Sequence, residues 1–357
     1  MSDVNQLKVI NPLDYPEWDK LVLSTKDYSF FHSSAWAKVL YESYGYRPLY
    51  FTFIDDGKLL ALFPFMEIKS ILTGKRAVSL PFTDYCEPIL SPLLEKEGEV
   101  FENPLSMILN ALISYGKKST WKSLELRFGV FPLQQISPSC TYYGHTLDIS
   151  GKEDEIFSTF RHSTKRNIKK AIKECVKVRI LNSLDSISEF YRLNCITRKE
   201  HGLPPQPYVF FEKIYEHVLS KNKGFVVLAS QDNTNIAGAV YFHFGEKVIY
   251  KYGASDRNYQ HLRANNLVMW EAIKWYSQNG YKRLCFGRTE PDNNGLLQFK
   301  RGWGTDERIL NYYKYDIKSE TFVSETSHMY GVHNKVFHNM PIPLLRITGS
   351  VLYKHIG

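Results

Sequence analysis

The chain has 357 residues and a formal net charge of +8, with 43% hydrophobic and 23% charged residues. This mixture is typical of a folded protein rather than a disordered one, and the length predicts two domains of roughly 150 residues each. The five cysteines are widely spaced and form no C-x-x-C pair. We therefore expect neither a disulfide framework nor a zinc site, and no metal.

The isoelectric point of the sequence is about 9.0. A basic protein favours an anionic partner, which is a phosphate-bearing small molecule, an RNA or an acidic membrane surface. The N-terminus lacks the basic-then-apolar pattern of a signal peptide, and no run of about eighteen apolar residues occurs. We therefore expect a cytoplasmic protein.

In the first half of the chain, the patterns predict helices, a strand hairpin, another helix and another strand. The hairpin turn is indicated by Asp-Asp-Gly-Lys at 55–58. The predicted elements are a helical region at 15–44, strands at 48–54 and 59–66, a strand broken by prolines at 76–90, a helix at 100–118 and a strand at 123–128.

The same order recurs in the second half, which predicts two similar α/β units. Asn279 and Gly280 are typical of the C-terminal end of a helix, here the one predicted at 263–279. The predicted elements are a basic helix at 153–175, helices at 184–200 and 208–221, strands at 224–230, 236–244 and 247–253, a helix at 263–279 and a strand at 282–287.

The first candidate site is the basic stretch from Arg161 to Arg179, which carries eight Lys or Arg residues and one Glu. Lys and Arg at i, i+4 spacing weaken an isolated helix, so the sequence either solvates this face or uses it to bind phosphate. Arg161, Lys165 and Arg166 are the candidates for phosphate binding.

The second candidate is the strand end around Tyr250 and Tyr252, with the loop and helix that follow it. Loop N–H groups and a helix N-terminus form a natural anion site, which makes Asn265 a substrate-binding candidate. The alternative is an ordinary strand–loop–helix connection.

The third candidate combines Arg288, at the carboxyl end of a strand, with the turn Phe299-Lys300-Arg301-Gly302-Trp303-Gly304. A lysine framed by Phe299 and Trp303 is suited to stabilising negative charge on an acyl carbonyl. The alternative is a surface lysine beside a structural tryptophan.

Several stretches together resemble the FemAB-related branch of the GNAT superfamily, which includes peptidoglycan-bridge aminoacyltransferases. The resemblance covers 150–317 well and 20–130 more loosely. It is carried by RHSTKRNIKKA, Y-x-Y-G-A-S, NLVMWEAIKW, GYKRLCFGRT and FKRGWG, and in the first half by FFHSSAWAKV and PFTDYCEP.

The resemblance implies an α/β (α+β) fold of two tandem GNAT-like domains, each a mixed, mainly antiparallel sheet flanked by helices, with a cleft between them. It implies a first domain at 1–148, a second at 149–318 and a tail at 319–357 that docks back on the first domain or rests on a membrane surface. It also implies acyl or aminoacyl transfer to an amine without metal. Lys165 and Arg166 would grip phosphate, Lys300 would stabilise charge, and Arg288 and Tyr252 would orient substrate and assist proton transfer.

Two positions depart from the family pattern. Cys285 replaces an acidic residue, and we expect a structural thiol there. Arg263 and Asn265 replace the glycines with which acetyl-CoA enzymes cradle the pyrophosphate, so their side chains would obstruct acetyl-CoA. The co-substrate, aminoacyl-tRNA or acyl-CoA, therefore stays open.

Three functions compete. The first is an N-acyl- or aminoacyltransferase acting on a cell-envelope or polysaccharide precursor amine, with a phosphate-bearing or nucleotide-linked precursor and possibly tRNA as partners. The second is an acetyl-CoA-dependent N-acetyltransferase acting on a sugar amine or small molecule. The third is a non-catalytic, basic nucleic-acid-binding module.

Overall fold

The computed structural model describes residues 7–92, 104–324 except for 132 and 134, and 332–356. The described residues form two compact units. The first lies within 1–142, 309–327 and 354–357, and the second within 143–308 and 328–353.

The strands, in chain order, are β1 (Lys8–Ile10), β2 (Arg47–Asp55), β3 (Lys58–Ser70), β4 (Gly74–Val78), β5 (Ile89–Leu90), β6 (Ser123–Gly129), β7 (Cys140–Asp148), β8 (Lys177–Leu181), β9 (Gly224–Gln231), β10 (Thr234–Phe244), β11 (Lys247–Ser255), β12 (Arg283–Thr289), β13 (Asp306–Asp316) and β14 (Thr321–Phe322). The helices are α1 (Trp18–Leu23), α2 (Ser34–Tyr44), α3 (Pro104–Lys118), α4 (Glu153–Thr159), α5 (His162–Lys173), α6 (Leu184–Glu200), α7 (Tyr208–His217), α8 (Ala264–Gln278), α9 (Asn294–Arg301), α10 (Val332–Asn339) and α11 (Ile342–Ile356). The mixed α/β class predicted from the sequence is confirmed.

Three helix predictions need correction. The region 15–44 contains two helices, since Ser33 caps the second by accepting a hydrogen bond from the N–H of Trp36. The basic region 153–175 also splits into two helices, with Arg161 in an extended conformation at the break. The predicted FKRGWG turn begins inside helix α9. The first residues of the predicted 100–118 helix lie outside the described part of the chain.

In the first unit, the strand order is β1-β2-β3-β4-β6-β13. The paired strands are antiparallel except for β4 and β6, which are parallel and are joined through α3. Alternate side chains of β2, β3 and β6 pack with those of α3 in one apolar cluster that includes Phe63, Leu112 and Trp121. Burial of this cluster drives the association of the helix with the sheet.

In the second unit, the strand order is β7-β12-β11-β10-β9-β8, and β11 and β12 are the parallel pair, joined through α8. Helices α5 and α8 cover the face of the sheet that carries Val227. On the other face, Gly238 approaches Leu228 and Phe190, which belongs to α6. A short 3-10 turn, Arg257–Leu262, connects the carboxyl end of β11 to the first turn of α8.

The described part of the predicted tail is divided between the two units. Residues 319–324 and 354–356 group with the first unit, and 332–353 group with the second. Within the second unit, α11 contacts the loop after α6, where the backbone of Gly349 approaches the carbonyl of Pro205. Docking of the whole tail on the first domain remains a prediction. None of the described helices has the length and hydrophobicity that are needed to cross a lipid bilayer.

Candidate active site

A polar cavity of about 400 Å³ lies in the second unit, where β11 ends and α8 begins. One wall comes from the start of α5, which contributes Ser163, Thr164 and Asn167. Two of these residues, Ser163 and Asn167, stand four positions apart and so share a helix face. Phe299, on α9, supplies a large apolar side chain to the lining.

The first turn of α8 forms another wall, together with the loop that precedes it. Asn265 lines the cavity, and its side-chain amide donates a hydrogen bond to the hydroxyl of Ser255 at 3.1 Å. The N–H groups of a first helical turn have no partner within the helix, so the helix end favours an anion. The prediction for Asn265 thus agrees with its position, but its role as a ligand for substrate remains a prediction.

Arg263 precedes α8 and has a left-handed backbone, with φ at +59°. Such a conformation is ordinarily given to glycine, because a side chain makes it unfavourable by about 1 kcal/mol. Arg263 is exposed and is one of the residues that line the cavity, at a position where a glycine would have no side chain. Obstruction of a pyrophosphate by this side chain remains a prediction.

The cavity also has an acidic residue, Asp256. One carboxylate oxygen accepts a hydrogen bond from the N–H of Asn258 at 3.0 Å, which caps the short 3-10 turn at Arg257–Leu262. The lining residues therefore include one acidic and one basic residue, Asp256 and Arg263. Such a cavity suits a ligand that carries both a positive and a negative group.

Lys300 is buried, with 3% of its surface exposed. Its ammonium donates hydrogen bonds to the carbonyl oxygens of Gly287 at 3.1 Å and Arg288 at 2.8 Å. A buried charge is stabilised only when such polar groups surround it. The lining of the cavity includes Gln298 and Phe299, the two residues before Lys300, so α9 presents its apolar ring to the cavity and its ammonium to β12.

The carbonyl groups that receive Lys300 are provided by a β-bulge. Cys285 pairs with Thr146 and Arg288 pairs with Gly144, so β12 carries one more residue than β7 across this interval. Gly287 lies in the bulge at φ +72°, a region that L side chains rarely adopt. The half-buried thiol of Cys285 accepts a hydrogen bond from the N–H of Gly287 at 3.4 Å.

The FKRGWG segment packs against the beginning of α5. The Arg161 N–H donates to the carbonyl of Gly302 at 3.0 Å, and a Cβ at Gly302 would lie 2.6 Å from the Thr164 hydroxyl. Trp303 is fully buried, with its ring centroid 4.9 Å from that of Phe160. The close packing holds the end of α9, and hence Lys300, in place.

The three basic candidates near α5 do not line the cavity. Arg161 precedes the helix and Arg166 is exposed, while the Lys165 ammonium donates to the carbonyl of Ser158 at 2.7 Å. The helix periodicity explains the difference, since the face of α5 that lines the cavity carries Ser163 and Asn167. Phosphate binding by the basic side chains remains a prediction that concerns the protein surface.

Tyr250 and Tyr252 lie on opposite faces of the sheet, although alternation would put them on the same face. In the pairing with β10, Lys251 is an extra residue on β11, and this bulge reverses the alternation. Tyr250 packs with Tyr241 on the α8 face, where burial raises the pKa of Tyr250 to about 12. Tyr252 packs against Phe211 at 5.7 Å, away from the cavity, so its position favours packing rather than proton transfer.

The structure adds His145, which the sequence analysis missed. His145 is 1% exposed, and its Nδ1 lies 3.4 Å from the Thr305 hydroxyl and 3.7 Å from the carboxylate of Glu307. Burial, with the nearby charge of Lys300 as the second cause, lowers the pKa of His145 from 6.5 to about 4. A lone histidine within a strand gives no sequence signal, because its partners lie about 160 residues away.

Glu307 also receives a two-pronged ion pair from Arg301, with both N–O distances at 2.7 Å. Thr305 donates to the carbonyl of Lys300 at 3.2 Å. These contacts connect His145 to the end of α9. They make the surroundings of Lys300 a polar network rather than an isolated side chain.

Comparison with known families identifies the segment that contains this site. Residues 158–301 match the model of the acetyltransferase (GNAT) domain. The chain is 34% identical over 100 residues to the lipid II:glycine glycyltransferase of Staphylococcus haemolyticus, and 36% identical over 76 residues to that of Staphylococcus epidermidis. The matches cover 26% and 20% of this chain but only 24% and 18% of the relatives, so the chain matches about a quarter of their length or less.

Solved structures extend the similarity to most of the chain. The crystal structure of FemX aligns with a TM-score of 0.64 and 15% identity, over 87% of this chain and 97% of FemX. A tandem GNAT protein from the clavulanic acid biosynthesis pathway aligns with a TM-score of 0.55 and 7% identity, over 87% and 98% of the two chains. At these identities the alignments show a shared fold, and they agree with the prediction of tandem GNAT-like domains.

Proposed function

We propose that this chain, in which residues 158–301 match a GNAT domain, is an N-acyltransferase of the FemAB-related branch that transfers an aminoacyl group to an amine of a peptidoglycan precursor. The relatives that match its sequence are named for glycine transfer to lipid II. This similarity supports both the acyl group and the class of acceptor. Acetyl transfer to a sugar amine or a small molecule is the competing proposal.

The observation that carries the proposal is the paired charge of the cavity. Asp256 and Arg263 both line it, beside the amide of Asn265 and the first turn of α8. In an aminoacyl-tRNA, the aminoacyl group has a free ammonium, which Asp256 would bind. The phosphate groups of the tRNA would be bound by Arg263. An acetyl group offers no ammonium, so in an acetyltransferase Asp256 would only cap the 3-10 turn and would make no contact with the acyl group.

In this mechanism the acceptor amine attacks the ester carbonyl of the donor, and the hydroxyl of the terminal ribose leaves. The amide bond forms as the ester bond breaks, and the proton of the amine passes to the leaving oxygen through solvent. The Lys300 ammonium faces β12 and not the cavity, so we assign to its charge a stabilisation of the developing oxyanion that acts without direct contact. We assign the orientation of the acceptor to Arg288. The main contribution of the enzyme is to bring the two reactants together.

The donor is tested by incubating the protein with a nucleotide-linked peptide precursor and either glycyl-tRNA or acetyl-CoA. Mass spectrometry of the precursor then distinguishes the addition of an amino acid from the addition of an acetyl group. We expect aminoacyl transfer, and saturable binding of acetyl-CoA in calorimetry together with an acetylated product would replace this proposal with its competitor. Tight, salt-sensitive binding of RNA without any product would instead indicate a nucleic-acid-binding module.

The role of Asp256 is tested by Asp256→Asn, because asparagine keeps the cap on the 3-10 turn and removes only the charge. We expect KM for the aminoacyl donor to rise by about 10-fold or more, as for the loss of a charged hydrogen bond, with a smaller change in kcat. Asp292→Asn, at an exposed position in the loop before α9, is the matched control. An unchanged KM in Asp256→Asn would remove the assignment of the ammonium site.

A further inference from the structure

A ridge of apolar side chains runs along the exposed face of the C-terminal helix α11. Leu344, Ile347 and Val351 are 52%, 61% and 56% exposed. Their spacing of three and four residues places them on one side of the helix. We call these three residues the α11 ridge.

The opposite side of α11 is firmly attached to the second unit, so the ridge is fixed in an outward orientation. Leu345 is fully buried, and Gly349 approaches the carbonyl of Pro205 so closely that a side chain would not fit. The Tyr353 hydroxyl accepts a hydrogen bond from Arg198 at 2.8 Å. The exposure of the ridge is therefore a property of a packed helix and not of a detached one.

The charged side chains of the tail beyond Glu325 all have one sign. After Glu325 the sequence contains no Asp or Glu, whereas it contains Lys335, Arg346 and Lys354. Lys354 follows Val351 by three residues and is exposed, so it lies next to the ridge. An apolar stripe bordered by basic side chains is the pattern of a helix that lies in the plane of an anionic lipid surface.

We propose that the α11 ridge inserts into the headgroup region of an anionic membrane and holds the second unit against it. Three side chains are far too few for a stable protein–protein interface, which needs about 800 Å² on each partner. A lipid surface has no such requirement, because its headgroups and chains rearrange around a small insertion. Two experiments test this proposal. The first, binding to vesicles, is independent of the proposed function, whereas the second, an activity assay, rests on it.

The vesicle arm measures co-sedimentation of the full chain with vesicles of phosphatidylcholine alone, or of equal parts phosphatidylcholine and phosphatidylglycerol. We expect binding to the anionic vesicles, weaker binding at high salt, and at least a 10-fold lower partition coefficient for Ile347→Glu. The matched control is Ile172→Glu, because Ile172 is 56% exposed on α5 and the substitution adds the same charge. The neutral double variant Leu344→Ser with Val351→Ser separates the loss of apolar surface from the added charge, and we expect it to bind at least 5-fold less.

Equal binding of the wild-type chain and Ile347→Glu would overturn the proposal, as would equal losses in Ile347→Glu and Ile172→Glu. A concentration-dependent dimer that Ile347→Glu abolishes, without vesicle binding, would assign the ridge to a second copy of the chain and also overturn it. In the activity arm, Ile347→Glu should keep turnover of a water-soluble precursor and lose turnover of a lipid-linked precursor in anionic vesicles. If no variant transfers anything to either acceptor, the proposed function fails while the vesicle result stands on its own.

Discussion

The two units share one arrangement of strands but differ where a site could form. In each unit, a parallel pair is joined through a helix, with β4, α3 and β6 in the first unit and β11, α8 and β12 in the second. The pairing of β3 with β4 runs in continuous register, whereas that of β10 with β11 contains a bulge. Strands β6 and β12 each contain a bulge, but among the described residues only β12 is followed by a helix, α9.

The comparison teaches that the scaffold alone does not make the site. Among the described residues between β6 and β7, no helix corresponds to α9. In the second unit, α9 brings the Lys300 ammonium to the carbonyls of Gly287 and Arg288 at the bulge in β12. Bulges of this kind redirect side chains and backbone groups at the expense of regular pairing.

The largest expected effect is a loss of activity on substitution of Lys300, in the second unit. Lys300→Met keeps most of the side-chain volume and removes the charge, so we expect kcat/KM for aminoacyl transfer to fall by about 100-fold or more. Circular dichroism at the assay temperature checks that the variant is folded. Full turnover by the folded variant would remove Lys300 from the mechanism.

The second prediction concerns acid stability. In the folded protein the pKa of His145 is lowered to about 4, whereas in the unfolded chain it has the ordinary value of 6.5. Between pH 4 and pH 6.5 the unfolded chain therefore binds the proton more readily than the folded protein does. Stability from this group is complete above pH 6.5 and decreases as the pH falls towards 4, by at most about 3 kcal/mol. Denaturant unfolding at pH 7 and pH 4.5 should show a smaller acid loss for His145→Gln than for the wild type.

Lys300→Met serves as the control for this interpretation. The charge of Lys300 is one cause of the low pKa of His145, so its removal should raise that pKa and reduce the acid loss. An acid loss that is unchanged in both variants would mean that His145 does not govern the acid stability of the second unit.

The third prediction tests the packing that positions α9. A Cβ at residue 302 would lie 2.6 Å from the Thr164 hydroxyl, so Gly302→Ala should lower the unfolding free energy by about 1–3 kcal/mol. Adding Thr164→Ala should recover at least half of that loss. Gly295→Ala, where a Cβ would meet nothing within 4 Å, is the control and should be neutral or slightly stabilising. Failure of the double variant to recover would show that the steric contact is not the cause.

The smallest expected effect on activity comes from a substitution in the first unit, and it tests the functional difference between the units. Lys75 pairs with the buried carboxylate of Glu67 at 3.0 Å, and the Trp121 ring N–H donates to the same carboxylate. Lys75→Met leaves the buried carboxylate of Glu67 with the tryptophan bond but without its cation, so it should lower the unfolding free energy by about 1–3 kcal/mol. It should leave kcat/KM within 2-fold of the wild type. A loss of activity comparable to that of Lys300→Met would contradict the functional difference between the units.

Local sequence chemistry predicts much of this fold. Asp56 and Gly57 form the hairpin turn between β2 and β3, both with positive φ, as the Asp-Gly pair indicates. Hydrophobic alternation predicts β9, β10 and β11 to within two residues at each end. Both signals depend only on neighbours in the chain.

The details of the site depend instead on pairing across the chain. The bulges at Lys251 and Gly287 exist only in relation to the partner strands, so alternation along the sequence cannot show that Tyr250 and Tyr252 lie on opposite faces. The FKRGWG motif predicted that Lys300 lies in a turn. In the structure, Asn293 caps helix α9, which contains Lys300. His145 acquires its character from Lys300 and Glu307, which no local pattern connects to it.

The return of the chain to the first unit has a consequence for synthesis on the ribosome. Strand β13 pairs with β6, as in Tyr313 with Leu126, and its Tyr313 and Tyr315 belong to the apolar cluster of that unit. The ribosome makes β13 only after about 180 further residues, which takes roughly 10–40 seconds at bacterial elongation rates. During that interval the outer edge of β6 has no partner strand, and such edges invite pairing with other chains. The nascent protein therefore has a period of exposure to aggregation that ends only when β13 emerges.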